Sequence, residues 1–103
     1  MSPLDPVIHA PVRLQIMSLL AAAQEAEFSF VRDSVEVSDS VLSKQAAALE
    51  NAGYVAIRKG HVGKRPRTWL SLTPEGRAEF RAYVAELQRI VGRPIASGQD
   101  GVP

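Results

Sequence analysis

Ten residues, Arg58 to Arg67, carry the cations Arg58, Lys59, Lys64, Arg65 and Arg67, with His61 among them. Guanidinium and ammonium groups at this density neutralise phosphates and release the counterions condensed on a polyanion. The run Arg65-Pro66-Arg67 is also suited to placing a guanidinium where negative potential is focused, as in a narrow minor groove. A second constellation precedes it in the chain. Ser40, Val41, Ser43, Lys44 and Ala47 offer hydroxyls, one ammonium and methyl groups, with Gln45 at their edge. These groups match base edges: lysine donates to guanine O6 or N7, serine donates or accepts, and an apolar side chain meets the thymine methyl. Catalytic chemistry has no comparable support. Cysteine is absent, the two histidines (His9 and His61) are scattered, and no carboxylate pair or phosphate-cradling glycine loop stands out. No enzyme activity, cofactor or metal site is expected.

The formal net charge of the 103-residue chain is only +1, so its distribution carries the information. From Gln24 to Ala52, Glu25, Glu27, Asp33, Glu36, Asp39 and Glu50 face only Arg32 and Lys44, a balance of −4. From Gly53 to Arg77, six bases face Glu75 alone, a balance of +5. A local basic patch on a near-neutral chain is what a face meeting a polyanion looks like; a solvated basic loop is the plainer alternative. The length allows one domain, and its core would be small enough to gain from dimerisation. No apolar run approaches a membrane span and no signal pattern opens the chain, so a cytoplasmic location is expected.

Both constellations need elements to hold them. Residues 1–10 read as an N-terminal arm, mobile over Met1–Leu4, with an Asp5-Pro6 turn. A first helix runs from Pro11 to about Ala23, with Val12, Ile16, Leu19 and Leu20 on one face. Leu14 and Met17 lie on another, which either a partner subunit or the last helix of the same chain would cover. Gln24–Glu27 reads as a polar link, and Ser29–Val35 as a short helix with Phe30, Val31 and Val35 as core candidates. Ser38 caps the next helix, Asp39 suits its positive end, and Leu42, Ala46 and Leu49 form its buried stripe. That stripe points Ser40, Lys44, Ala47 and Asn51 outward. Gly53 ends the helix. Tyr54–Ile57 and Thr68–Leu72 alternate as strands around a polar loop from Arg58 to Arg67. Thr73-Pro74-Glu75 opens a last helix with Phe80, Tyr83, Val84, Leu87, Ile90 and Val91 apolar. Gly92 and Pro94 stop it, and residues 92–103 are expected to form a disordered tail.

A short helix, a tight link, an amphipathic helix and a basic hairpin make a mainly α fold with a small β-hairpin wing (α+β), the layout of a winged helix-turn-helix over residues 11–91. The runs Ile8–Leu14, Val37–Lys44, Leu49–Val55, Gly63–Thr68 and Leu72–Arg77 resemble the small winged-helix regulators of the MarR/ArsR type. The resemblance implies a homodimer that binds a pseudo-palindromic operator in double-stranded DNA and usually represses transcription. Metal-sensing relatives need cysteines or clustered histidines, which this chain lacks. The expected readers are Ser40, Val41, Ser43, Lys44, Gln45 and Ala47; the expected wing contacts are Arg58, Lys59, His61, Lys64, Arg65 and Arg67. Leu4, Val7, Ile8, Leu14, Met17, Tyr83, Leu87 and Ile90 are the expected dimer face. A small-molecule effector is compatible with the pattern but unidentified. The competing expectation, kept open by the acidic stretch Glu25–Asp39, is a winged-helix module that docks another protein and does not bind DNA.

Overall fold

The computed structural model describes residues 4–99, and their side chains as far as Gly92. The order of elements is α1 (Pro11–Ala21), β1 (Ala26–Glu27), α2 (Phe28–Val35), α3 (Asp39–Asn51), β2 (Val55–Val62), β3 (Arg65–Leu72) and α4 (Pro74–Gln99). The strands form one antiparallel sheet in the order β1-β3-β2. Among the described residues, four helices and a three-stranded sheet with a long hairpin constitute a winged helix, the fold class expected from the sequence.

Local chemistry sets most boundaries. Ala10 is extended ahead of Pro11, which takes the first helical position, where its missing N–H costs nothing. The Ser38 hydroxyl accepts from the Val41 N–H at 3.2 Å and starts α3. Gly53, at φ 84°, ends that helix: the Tyr54 N–H donates to Leu49 O and the Gly53 N–H to Glu50 O, a Schellman pair. Thr73 opens α4 in two directions, accepting from the Gly76 N–H at 2.9 Å and donating to Gly53 O at 2.6 Å. The second bond ties α4 to the end of α3.

The core is one cluster in which Ile8, Ile16, Met17, Leu20, Val31, Leu42, Leu49, Val55 and Leu70 are fully buried. It revises several expectations. The supposed polar link contains β1, whose Ala26 and Glu27 pair with Leu70 and Trp69, and α2 begins at Phe28. Phe30 is 57% exposed rather than core, because α2 buries Val31 and Val35 instead. The hairpin is paired to its tip, with Val62 opposite Arg65, so most of the expected loop is strand. Its two-residue turn has Gly63 at φ 63°, the position where a tight hairpin needs a left-handed residue.

At both chain ends the secondary structure extends further than the sequence pattern suggests. From Leu4 onward the arm is folded: Ile8 and His9 N–H groups donate to Asp5 O, and the Asp5 carboxylate accepts from the Val7 N–H. This turn drives Ile8 into the core. Met1–Pro3 lie outside the described residues. At the other end α4 passes Gly92 and Pro94 and reaches Gln99, since a proline removes one backbone donor without ending the hydrogen-bond ladder on either side. Residues 100–103 of the expected tail lie outside the described residues.

Three of the expected dimer-face residues are corrected by the same core. Ile8 and Met17 are fully buried within the chain and Tyr83 is 3% exposed, so none offers surface to a partner. Met17 is enclosed because α1 sits in the middle of the bundle and is covered on more than one side. Tyr83 is drawn in by its hydroxyl, 2.7 Å from His9 Nδ1. Leu4, Val7, Leu14 and Leu87 are half-buried, and Ile90 is exposed.

Candidate nucleic-acid interface

Helix α3 buries Leu42, Ala46 and Leu49 at the spacing of one stripe. The opposite face therefore presents Ser40, Val41, Ser43, Lys44 and Ala47 to solvent. Apart from Lys44 and Val41 these are side chains of one or two heavy atoms, so a flat partner can approach the helix axis closely. Gln45 does not belong with them. It is half-buried, and its Oε1 accepts from Arg13 Nη1 at 2.8 Å. Arg13 Nε donates in turn to Val7 O at 2.6 Å. Gln45 thus anchors α3 to α1 and the folded arm. Arg13 is a supporting residue that sequence reasoning missed, since a lone arginine on a helix has no periodic signature.

The hairpin sorts its side chains between two faces because strand neighbours alternate. Ile57, Lys59 and His61, opposite Leu70, Thr68 and Pro66, share the face that continues the core. Arg58, Gly60 and Val62, opposite Trp69, Arg67 and Arg65, share the other. The first face meets α3 across a groove lined by Asp39, Ser43 and Ala46 from the helix, Ile57, Lys59, Thr68 and Leu70 from the sheet, and Phe28. Its cavity volume is about 450 Å³. Its polar lining consists of two hydroxyls, one ammonium and the Asp39 carboxylate, and the rest is apolar. Phe28 and Thr68 were not anticipated; both come to the groove through the pairing of β3 with β1 and β2.

Charge is divided in the same way. Arg58 makes a bidentate pair with Glu25, at 3.0 and 2.9 Å, and lies over the Trp69 ring at 4.1 Å. Arg67 pairs with Glu27 at 2.9 Å. The hydrogen bonds from Arg58 hold the Glu25 carboxyl below its usual range. Asp39 is similarly occupied, by Arg32 of α2 at 2.9 Å, so Ser38 alone caps α3. Among the described residues, no carboxylate lies within ion-pair distance of Lys44, Lys59, Lys64 or Arg65. His61 is exposed near the hairpin tip. At the hairpin base the Tyr54 hydroxyl donates to the Asp5 carboxylate at 2.5 Å, which raises the phenol's pKa.

Residues 12–91 match the family model described as a winged helix DNA-binding domain. The chain belongs to this family. The match runs from the start of α1 into α4 and so includes both α3 and the hairpin. A transcriptional regulator homologue from Pyrococcus horikoshii OT3 superposes with a TM-score of 0.78 at 28% identity, over 84% of this chain and 85% of that one. An uncharacterized protein of Methanocaldococcus jannaschii is 26% identical over 82% of this chain and 91% of its own length. A homodimeric winged helix-turn-helix DNA-binding domain from Mycobacterium bovis, a possible ArsR-family regulator, shares the fold with a TM-score of 0.65 at 22% identity, over 88% of this chain and 77% of that one. The family model and the Pyrococcus horikoshii homologue thereby bear out the resemblance to small winged-helix regulators. Family and fold point to a transcription regulator rather than an enzyme. No helix among the described residues is long and apolar enough to cross a membrane.

Proposed function

We propose that this winged-helix protein is a sequence-specific regulator of transcription, acting as a homodimer on a pseudo-palindromic operator, most simply as a repressor. One observation carries the reading: α3 and the hairpin form the two walls of a groove, with Ser43 on one wall, Lys59 and Thr68 on the other, and Lys44, without an ion-pair partner among the described residues, on the exposed side of α3. In a helix-turn-helix the first half of the second helix meets base edges, while flanking cations hold phosphates. Ser40, Val41, Ser43, Lys44 and Ala47 are assigned the bases; Lys59, His61, Lys64 and Arg65 are assigned the phosphates. Gln45 is reassigned to support.

Homodimerisation is supported by the homodimeric state of the Mycobacterium bovis domain and by the apolar surface left on this chain. Ile90 and Val91 are 46% and 44% exposed on α4, and Leu87, Leu14, Leu4 and Val7 are half-buried. In such a dimer the two α3 helices stand about one turn of DNA apart, roughly 34–36 Å. Light scattering at micromolar concentration is expected to give the dimer mass; a monomer there removes the palindromic operator from this reading.

Two substitutions test the assignment on DNA selected by the protein and on random duplex. Lys44→Ala is expected to cost roughly 1–3 kcal/mol on the selected site and to relax base choice at one position. Equal losses on both DNAs would make Lys44 a phosphate clamp. Arg65→Ala is expected to weaken both alike and to lower the slope of log K against log salt by about one. A wild-type affinity that does not change with salt leaves no phosphate contribution and favours the protein-docking module instead.

A further inference from the structure

The two acids of the β1 region are placed where a DNA-binding surface least needs negative charge, beside the basic hairpin. Glu25 and Glu27 flank Ala26, and strand alternation turns Ala26 inward to the core while the carboxylates face out. Each takes one arginine of the hairpin at 2.9 Å: Glu25 takes Arg58, and Glu27 takes Arg67. The pairs are also braced from other directions. The indole of Trp69 lies under Arg58, and the Ser29 hydroxyl donates to the same Glu27 Oε1 that accepts from Arg67. Gly60 leaves the room this needs, since a Cβ there would stand 3.2 Å from Trp69 Cζ3.

The outcome is a hairpin with two electrostatically different faces. On the face turned from α3, two of the three guanidiniums, those of Arg58 and Arg67, are cancelled by two carboxylates, and Arg65 remains at the tip. On the face turned toward α3, Lys59 has no carboxylate within ion-pair distance among the described residues, and Asp39, which lines the groove with it, is held by Arg32. Lys64 and Arg65, at the tip, are uncancelled among the described residues. Resting on the DNA-binding reading above, we infer that Glu25 and Glu27 are specificity determinants: they withhold Arg58 and Arg67 from phosphate and confine the attraction for DNA to the hairpin tip and to the side that shares a groove with α3.

The physical consequence concerns binding without sequence. Phosphate contacts supply nearly all non-specific affinity, and any basic face can make them. An outer face with two of its three arginines cancelled holds the duplex less in orientations that keep α3 out of the groove. In the specific complex the part of the outer face that carries Arg58 and Arg67 is turned from the DNA, so the cancellation costs little there. The ratio of specific to non-specific binding rises accordingly.

The test is Glu25→Gln/Glu27→Gln, measured as salt-dependent binding to random duplex and to a sequence selected by the wild-type protein. On random duplex the salt slope is expected to steepen by about 0.9 for each freed arginine, with affinity rising roughly five-fold per arginine near physiological salt. Affinity for the selected sequence is expected to change less than the affinity for random duplex. Adding Arg58→Gln/Arg67→Gln to the same variant is expected to abolish the gain. A charge-matched control, Glu36→Gln/Glu50→Gln, removes two acids with no arginine partner among the described residues and is expected to leave the slope unchanged. If the control raises the slope as much, or if the gain survives loss of the arginines, bulk charge is responsible and the inference is overturned. Glu25→Gln alone, at the more exposed pair, gives the same readout with the smaller risk to folding. A wild-type protein that binds duplex with steep salt dependence but ignores all these Glu→Gln changes overturns this inference alone. A wild-type protein with no salt-dependent duplex binding overturns the DNA-binding reading itself.

Discussion

Gly76→Ala is expected to destabilise the protein by about 2–3 kcal/mol and to lower its melting temperature by roughly 10–20 °C. In most helices this substitution would help, by about 1 kcal/mol. Here the new Cβ would stand 2.0 Å from the Tyr54 carbonyl oxygen and 2.7 Å from its carbon. The obstacle is backbone and cannot swing aside. It is also backbone already in use: Tyr54 O accepts from the Thr73 N–H at 3.0 Å, and the Thr73 hydroxyl reaches Gly53 O. Relief therefore requires α4 to move off the end of α3 and the base of the hairpin. Because Tyr54 also binds Asp5, the folded arm is disturbed with them. Thermal melting followed by circular dichroism checks this; a melting temperature at or above that of the parent would show that α4 does not start against Tyr54.

Leu42→Ala is expected to cost about 2–5 kcal/mol, the range for deleting a fully buried leucine. Leu42 is 0% exposed and is the first inward residue of α3, so the cavity opens directly beneath the residues assigned to the bases. Binding to a selected site is expected to fall together with stability. Its neighbour supplies the contrast. Val41 is 39% exposed, and Val41→Ala is expected to alter stability by less than about 0.5 kcal/mol while weakening discrimination at one thymine. Denaturant titration and DNA binding on both variants separate packing from reading. Equal stability losses at the two positions would mean that α3 is rotated from the orientation described.

The α3 surface was legible in advance because everything that defines it is local. A serine cap, a 3.6-residue stripe and a left-handed glycine all act within a turn or two of the residues they govern. They settle which side of the helix is buried, and hence that Ser40, Lys44 and Ala47 face solvent. The same holds for the start of α4 and for the existence of the hairpin. Gln45 escaped because its partner, Arg13, lies 32 residues away and the stripe alone puts Gln45 on a border. The dimer face was over-assigned for a related reason. Periodicity shows that α1 has more apolar surface than one contact needs, but not whether the same chain covers it, and at Met17 it does.

The alternating strands and the basic run were enough to announce a wing, yet not to say which of its cations are committed. That depends on β1, two residues long and too short to produce a periodic signal, whose place beside β3 arises only when segments about forty residues apart are paired. Pairing brings Glu25 to Arg58 and Glu27 to Arg67, and strand parity puts Lys59 on the opposite side from them. Element type, caps and buried stripes are short-range consequences of backbone sterics and hydrophobic period, so the linear chain contains them. The sorting of charge is a long-range Coulombic outcome of sheet register, and it exists only once the chain has closed on itself.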